Sequence, residues 1–207
     1  MNLSITHLTP VHFESAVEIF TKAFVSDPLH IFAFPEEKEK ERITKLVYEL
    51  VVLSIVPEMN LKIRGAFVDD KLAGALIYTT PNSNNKWSDK LDNAVKDMRR
   101  KAENERIRFI GEYAMTSGKY KPKVPHFYLN ELAVLPEMQG NGIGTKLMLS
   151  VESECIALPE ILGMGLDTTN IRNANLYKRL GYEIVHEFEF YELRCYSMFK
   201  SIRRLEN

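Results

Sequence analysis

The stretch from Leu132 to Met148 constrains the fold of this chain most, because an apolar strand pattern runs through a glycine-rich turn directly into an apolar helix pattern. The turn contains Gly140, Gly142 and Gly144. Glycine lets the backbone turn tightly and come close to a ligand. The first N–H groups of the helix have no partner within the helix and lie at the positive end of its dipole. The sequence therefore predicts a phosphate-binding turn between a strand and a helix.

Two common phosphate-binding loops do not match this glycine pattern. The dinucleotide fingerprint requires a glycine at the sixth position counted from Gly140, where the chain has Thr145. The nucleoside-triphosphate loop ends in Gly-Lys-Ser/Thr, whereas residues 144–146 read Gly-Thr-Lys. A tight strand–helix turn that binds no ligand would also explain the glycines.

A third loop pattern, Gln/Arg-x-x-Gly-x-Gly/Ala, is met by Gln139, Gly142 and Gly144. Further along, the spacing Asn-x-x-x-Ala-x-x-Tyr-x-x-x-Gly-Phe/Tyr is met by Asn170, Ala174, Tyr177, Gly181 and Tyr182. These two motifs, in this order, resemble the GNAT superfamily of acyl-CoA-dependent N-acyltransferases. The resemblance follows the whole chain in its order of elements, and its specific part is residues 126–182.

The alternation of strand and helix patterns predicts an α/β protein. The 207 residues, 45% of them hydrophobic, suffice for one sizeable core. The resemblance implies a single-domain GNAT-like fold over residues 1–207, with a mixed central sheet of about seven strands flanked by helices. Residues 81–123 lie where the family varies its acceptor site, and we expect them to be an acceptor-side insertion.

The sequence predicts the main elements from their periodicity. Strands are expected near 3–8, 61–68, 71–79, 126–135, 161–167, 182–191 and 193–200. Helices are expected from Thr9-Pro10 to Asp27-Pro28, from Glu37 to Ser54 with Pro57 as the stop, and over 143–157 and 173–180. Asp69-Asp70 is expected to be a hairpin turn.

The resemblance implies a binding site for acetyl-CoA, the acyl donor. The strand backbone would pair with the pantetheine arm, the loop would hold the pyrophosphate, and two residues of the second motif would reach the coenzyme. The residues concerned are Leu132, Ala133, Val134, Gln139, Gly140, Asn141, Gly142, Ile143, Gly144, Thr145, Asn170 and Tyr177.

The catalytic residues are expected to be Tyr177 and Glu131. By resemblance, Tyr177 would donate a proton to the leaving thiolate; its alternative is a tyrosine that packs the core. Glu131 is a carboxylate within an apolar strand pattern, and such a charge needs water, a partner or a ligand. It is our candidate general base, with an ion pair as its structural alternative and His126 or water near Tyr128 as other bases. Strand alternation places Tyr128 and Glu131 on opposite faces, although a bulge would reset this.

The implied reaction is transfer of the acetyl group of acetyl-CoA directly to a primary amine, most simply of a small molecule. A protein N-terminal or lysine acetyltransferase and a non-catalytic acyl-CoA sensor are the alternatives. The net charge of −1 argues against nucleic acid or an anionic membrane as partner. We expect no metal, a cytoplasmic protein, a monomer or homodimer, and buried, unpaired thiols at Cys155 and Cys195.

Overall fold

The computed structural model describes residues 2–84 and 86–203. The strands are β1 Leu3–His7, β2 Lys62–Val68, β3 Lys71–Thr79, β4 His126–Val134, β5 Gly163–Thr168, β6 Glu183–Phe190 and β7 Leu193–Ser201. The helices are α1 Phe13–Phe24, α2 Pro28–Ala33, α3 Glu37–Leu50, α4 Val56–Glu58, α5 Asp89–Ala102, α6 Arg108–Ser117, α7 Ile143–Ile156 and α8 Ile171–Arg179.

The strands form one seven-stranded sheet in the order β1-β2-β3-β4-β5-β7-β6. The pair β4–β5 is parallel, and the other neighbouring pairs are antiparallel. Helix α1 packs on β3 and β4 and also contacts α3. Helix α7 packs on the same two strands. The α/β class and the mixed seven-stranded sheet flanked by helices are therefore as the sequence predicts.

Two apolar layers cover the two faces of the sheet, because successive residues of a strand point to opposite sides. On β3, Leu76 and Tyr78 join the core that contains α7, whereas Ala75 and Ile77 join the core that contains α1. Cys155 and Cys195 are buried and unbridged, as expected. Within the described ranges, no helix is both long and apolar enough to cross a membrane.

The predicted hairpin turn between β2 and β3 is present. Asp69 and Asp70 have positive φ angles of 47° and 65°. A positive φ at both central residues is typical of the type I′ turn, whose twist matches that of the flanking strands, and Asp tolerates this region better than most residues.

The predicted stop of the second long helix at Pro57 is wrong. After α3 the chain continues through a wider π-helical turn, Val51–Ile55, into α4, and Pro57 lies in the first turn of α4. Proline lacks an N–H group, and the first turn of a helix does not need one. The changed hydrogen-bonding pattern of the π turn therefore accommodates the proline.

Asp27-Pro28 not only follows the first long helix, it also begins another that the periodicity did not predict. The carboxylate of Asp27 accepts a hydrogen bond from the backbone N–H of Leu29 at 2.9 Å, and Pro28 is the first residue of α2. Asp followed by Pro is a typical helix start. Helix α8 likewise begins at Ile171, two residues before its predicted start, with Asn170 as its cap.

Candidate active site

A cleft opens where the parallel strands β4 and β5 stop pairing. Their register runs from His126 opposite Gly163 to Leu129 opposite Leu166 and ends there. Beyond these positions β4 remains paired with β3, and β5 remains paired with β7. The two strands therefore separate, and the edge of β4 from residue 130 to 134 faces the cleft.

A bulge in β4 at this point changes which side chains share a face of the strand, compared with the simple alternation expected from the sequence. The register with β3 passes from Ile77 opposite Glu131 to Tyr78 opposite Leu129, so that Asn130 is the extra residue. A bulge turns the following side chains to the other face. Tyr128 and Glu131, expected on opposite faces from simple alternation, consequently share one face and line the same cavity.

The first cavity, which we call the coenzyme cavity, has a volume of about 470 Å³ and lies between β4, the glycine loop and α8. The predicted coenzyme residues that line it are Leu132, Ala133, Val134, Gln139, Gly140, Gly142, Ile143, Gly144, Thr145, Asn170 and Tyr177. Asn141 is predicted too but does not line the cavity; its amide binds the carbonyl of Met138 at 3.1 Å.

The glycine loop has the backbone conformation that the sequence pattern requires. Gly140 and Gly142 have φ angles of +79° and +73°, which L side chains rarely adopt. A Cβ atom added to either would meet no protein atom within 4 Å, so both face open space. Gly142 caps α7 without a side chain, which leaves the first N–H groups of that helix free for an anion.

Two side chains predicted to bind the coenzyme also bond to their own chain. The amide of Gln139 donates to the carbonyl of Val134 at 3.1 Å, which ties the loop to the end of β4. The Asn170 side chain accepts from the N–H of Arg172 at 3.0 Å and so caps α8. Both residues therefore shape the cavity wall as well as facing it.

The second cavity, the acceptor cavity, has a volume of about 420 Å³, which is in the usual range for small-molecule sites. Much of its wall is aromatic or apolar. Residues from the segment 81–123 contribute to it, among them Trp87, Met98, Ile110, Tyr113 and Lys121. Residue 85 of that segment lies outside the described residues.

Three carboxyl groups, those of Asp27, Glu131 and Asp167, line this cavity, and the cationic side chains of Arg99 and Lys121 line it too. Glu131 accepts a hydrogen bond from the Tyr48 hydroxyl at 3.3 Å. Burial, followed by the charges of Asp167 and Asp27, raises the pKa of Glu131 to about 8. Burial also raises the pKa of Asp27 to about 6, against the opposing effect of backbone N–H groups. A cation bound beside these carboxyls would offset the cost of burying their negative charges.

Asp167 is held by two tyrosines, since the hydroxyl groups of Tyr113 and Tyr128 both donate to its carboxylate. The ammonium of Lys121 lies 3.8 Å from the centre of the Tyr128 ring. Burial lowers the pKa of Lys121, and the charge of Asp167 acts in the opposite direction. Asp167 thus already has partners on several sides.

Tyr177 lies where the two cavities meet and lines both of them. Its side chain is largely buried. Burial, then the charges of Asp27, Asp167 and Glu131, raise the pKa of Tyr177 above its usual value. The phenol is therefore protonated at neutral pH, as a proton donor must be.

His126, the alternative base, lines neither cavity. Its Nδ1 is 2.6 Å from the carbonyl oxygen of Val124, and burial lowers its pKa. Glu131, by contrast, has a hydroxyl partner and no Arg or Lys within ion-pair distance among the described residues. The sequence analysis did not identify Asp27, Tyr48 or Asp167 as site residues. Of these, only Asp27 had a local signal, its position before Pro28.

Within the described part of the chain, no group of three or more His, Cys, Asp or Glu side chains could hold a metal ion.

Comparison with known proteins agrees with this architecture. Residues 101–184 match the family model described as acetyltransferase (GNAT) domain. A Corynebacterium glutamicum structure described as histone acetyltransferase HPA2 and related acetyltransferase has a TM-score of 0.69 at 19% identity, over 97% of this chain and 96% of that chain. Arylalkylamine N-acetyltransferase 2 from Aedes aegypti has a TM-score of 0.64 at 13% identity, covering 98% and 100%.

A further similar structure, the PaiA N-acetyltransferase from Thermoplasma acidophilum, is in complex with coenzyme A; its TM-score is 0.59 at 16% identity, over 97% of this chain and 99% of that chain. At these identities the likeness shows the fold. The match over residues 101–184 and the fold along the chain together confirm the resemblance to the GNAT superfamily that the loop and helix motifs indicate.

Proposed function

We propose that the protein transfers the acetyl group of acetyl-CoA directly to a primary amine of a small molecule. The observation that carries this proposal is the meeting of two cavities at Tyr177. One has a glycine loop and a free helix N-terminus suited to a pyrophosphate, and the other has buried carboxyls suited to an ammonium group. The coenzyme A complex of a protein with this fold supports the choice of donor.

The chemistry needs a proton acceptor and a proton donor. An alkyl ammonium has a pKa of about 10.4, so that only about one molecule in a thousand is nucleophilic at neutral pH, a shortage worth about 4 kcal/mol. A carboxyl of the acceptor cavity takes one proton from the ammonium, and the nitrogen attacks the thioester carbonyl. The C–N bond forms and the C–S bond breaks. Tyr177 protonates the sulfur and is restored by the second proton of the nitrogen.

The walls of the acceptor cavity favour a small acceptor over a protein. Trp87, Met98 and Tyr113 come from the segment 81–123 and line the same cavity as the carboxyls. A protein N-terminus or lysine side chain would have to enter past them, and a non-catalytic sensor would have no use for carboxyls beside Tyr177. The apolar wall suits an amine with an apolar body.

The proposed activity is tested by measuring free thiol released from acetyl-CoA with a panel of primary amines, peptides and lysine-containing proteins. We expect release with small amines, and mass spectrometry should show one added acetyl group on the amine. Release with peptides or proteins only would favour the protein acetyltransferase. Acetyl-CoA binding without release on any member of the panel would favour the sensor.

Replacing Gly142 with valine is expected to weaken acetyl-CoA binding at least tenfold, because the new side chain extends into the open space of the loop. A ligand that binds only the folded state raises the melting temperature, so wild type should show a shift with acetyl-CoA that Gly142→Val lacks. Gly181→Val is the matched control, since Gly181 has a φ of +89° and lines neither cavity. Equal calorimetric affinity of wild type and Gly142→Val would refute the loop assignment.

Tyr177→Phe is expected to reduce kcat by about 10²-fold or more, in the range for a lost general acid, with little change in acetyl-CoA affinity because the ring remains. Tyr182→Phe is the control, because Tyr182 is buried nearby but lines neither cavity. Steady-state kinetics and calorimetry on both variants decide the role. Weakened coenzyme binding with unchanged kcat would make Tyr177 a packing residue.

A further inference from the structure

Asp27 is the one carboxyl of the three that borders both cavities. It lines the acceptor cavity with Glu131 and Asp167, and it lines the coenzyme cavity with Tyr177. Glu131 and Asp167 line the acceptor cavity alone. An amine that attacks the thioester must sit at the junction of the two cavities. Asp27 therefore lines the junction where that amine would sit.

The other two carboxyls are otherwise engaged. Asp167 accepts hydrogen bonds from Tyr113 and Tyr128. Glu131 accepts one from the hydroxyl of Tyr48, whose ring belongs to the core that contains α1. Asp27 accepts the backbone N–H groups of Leu29 and His30, and it has no side-chain hydrogen-bond donor among the described residues.

We propose that Asp27, rather than Glu131, accepts the proton of the attacking ammonium, while Glu131 lines the acceptor cavity beside it. The proposal rests on the acetyl transfer proposed above. In this step the Asp27 carboxylate takes one N–H proton, the freed lone pair forms the C–N bond, and the pair of the broken C–S bond goes to sulfur. Solvent then takes the proton from Asp27.

The surroundings of Asp27 agree with this division of roles. The titratable groups that interact with it are Tyr48 from α3, Glu131 from β4 and Tyr177 from α8, with His30 on its own helix. Burial raises the pKa of both tyrosines and lowers the pKa of His30 to about 3, so these three are uncharged at neutral pH. Burial raises the pKa of both carboxyls, and the charges of Asp167 and Asp27 raise that of Glu131 further, so Asp27 is the first of the two to ionise as the pH rises. Two carboxyls in different surroundings can thus take different roles.

The competing explanation is that Asp27 serves only as the cap of α2. Asparagine distinguishes the two roles, because its side-chain oxygen caps a helix as well as that of aspartate but accepts no proton at neutral pH. Glu131→Gln is the matched variant at the other carboxyl.

The test is the pH dependence of kcat/KM between pH 5 and 9 for wild type, Asp27→Asn and Glu131→Gln, with melting temperature and acetyl-CoA affinity measured on each. Wild type should gain activity as the pH rises through about 6, where Asp27 loses its proton. Asp27→Asn should lose about 10²-fold at pH 7, within the usual range for a general base, and lose this rise. Its melting temperature and coenzyme affinity should stay close to wild type. Glu131→Gln should keep the rise with pH, while the loss of a carboxyl that lines the acceptor cavity is expected to raise KM for the amine.

Two results would overturn the proposal: an Asp27→Asn variant with the wild-type profile, or a Glu131→Gln variant that alone loses the rise. A wild-type protein without acetyl transfer to any amine would refute the proposed function instead. A readout independent of turnover is the carboxyl ¹³C NMR titration, assigned with the same two variants. Asp27 should titrate at lower pH than Glu131, and the reverse order would contradict the assigned roles.

Discussion

The coenzyme and acceptor cavities both form where β4 and β5 separate. The two strands are paired up to Leu129 and Leu166 and then diverge, each held by its neighbour on the other side. Beyond Leu129, the edge of β4 therefore has no neighbouring strand on the β5 side. Its backbone N–H and C=O groups on that side are unpaired, as at the edge of a sheet. Both cavities border this edge, since Leu132 lines both.

The acceptor cavity stores unfavourable electrostatic energy. Three carboxyls line a largely apolar wall, and burial raises the pKa of Asp27 and of Glu131. A buried carboxyl with a raised pKa lowers the stability of the folded protein as the pH rises through that pKa, because the unfolded chain releases its proton more easily. A bound cationic amine would offset this cost. Active sites commonly lower the stability of a protein in this way, because function requires an arrangement that is unfavourable without a ligand.

The sequence was most informative where function depends on local backbone geometry. The glycine loop, the start of α7 and the second motif at Asn170 and Tyr177 are short-range features, and residues of all three line one cavity. The turn at Asp69-Asp70 and the seven strands follow from local patterns, whereas their union in one mixed sheet was implied by the resemblance. Residue roles at these positions stay predictions until they are measured.

The features that the sequence did not predict depend on distant parts of the chain. Tyr113 and Asp167 are 54 positions apart in sequence, and Tyr48 and Glu131 are 83 apart, so no periodicity could pair them. The faces of β4 depend on a bulge against β3, which simple alternation cannot show. Asp27 had a local signal for a helix start, but its place between two cavities requires the folded positions of α2, β4 and α8.

A crystal structure of the protein with coenzyme A would locate the donor directly. We expect the pyrophosphate against the backbone N–H groups of residues 139–145, the pantetheine arm along Leu132 to Val134, and the sulfur within hydrogen-bond reach of the Tyr177 hydroxyl. A coenzyme bound elsewhere, or bound in the cleft with its sulfur turned away from Tyr177 and Asp27, would contradict the claim that the two cavities meet at the reacting centre.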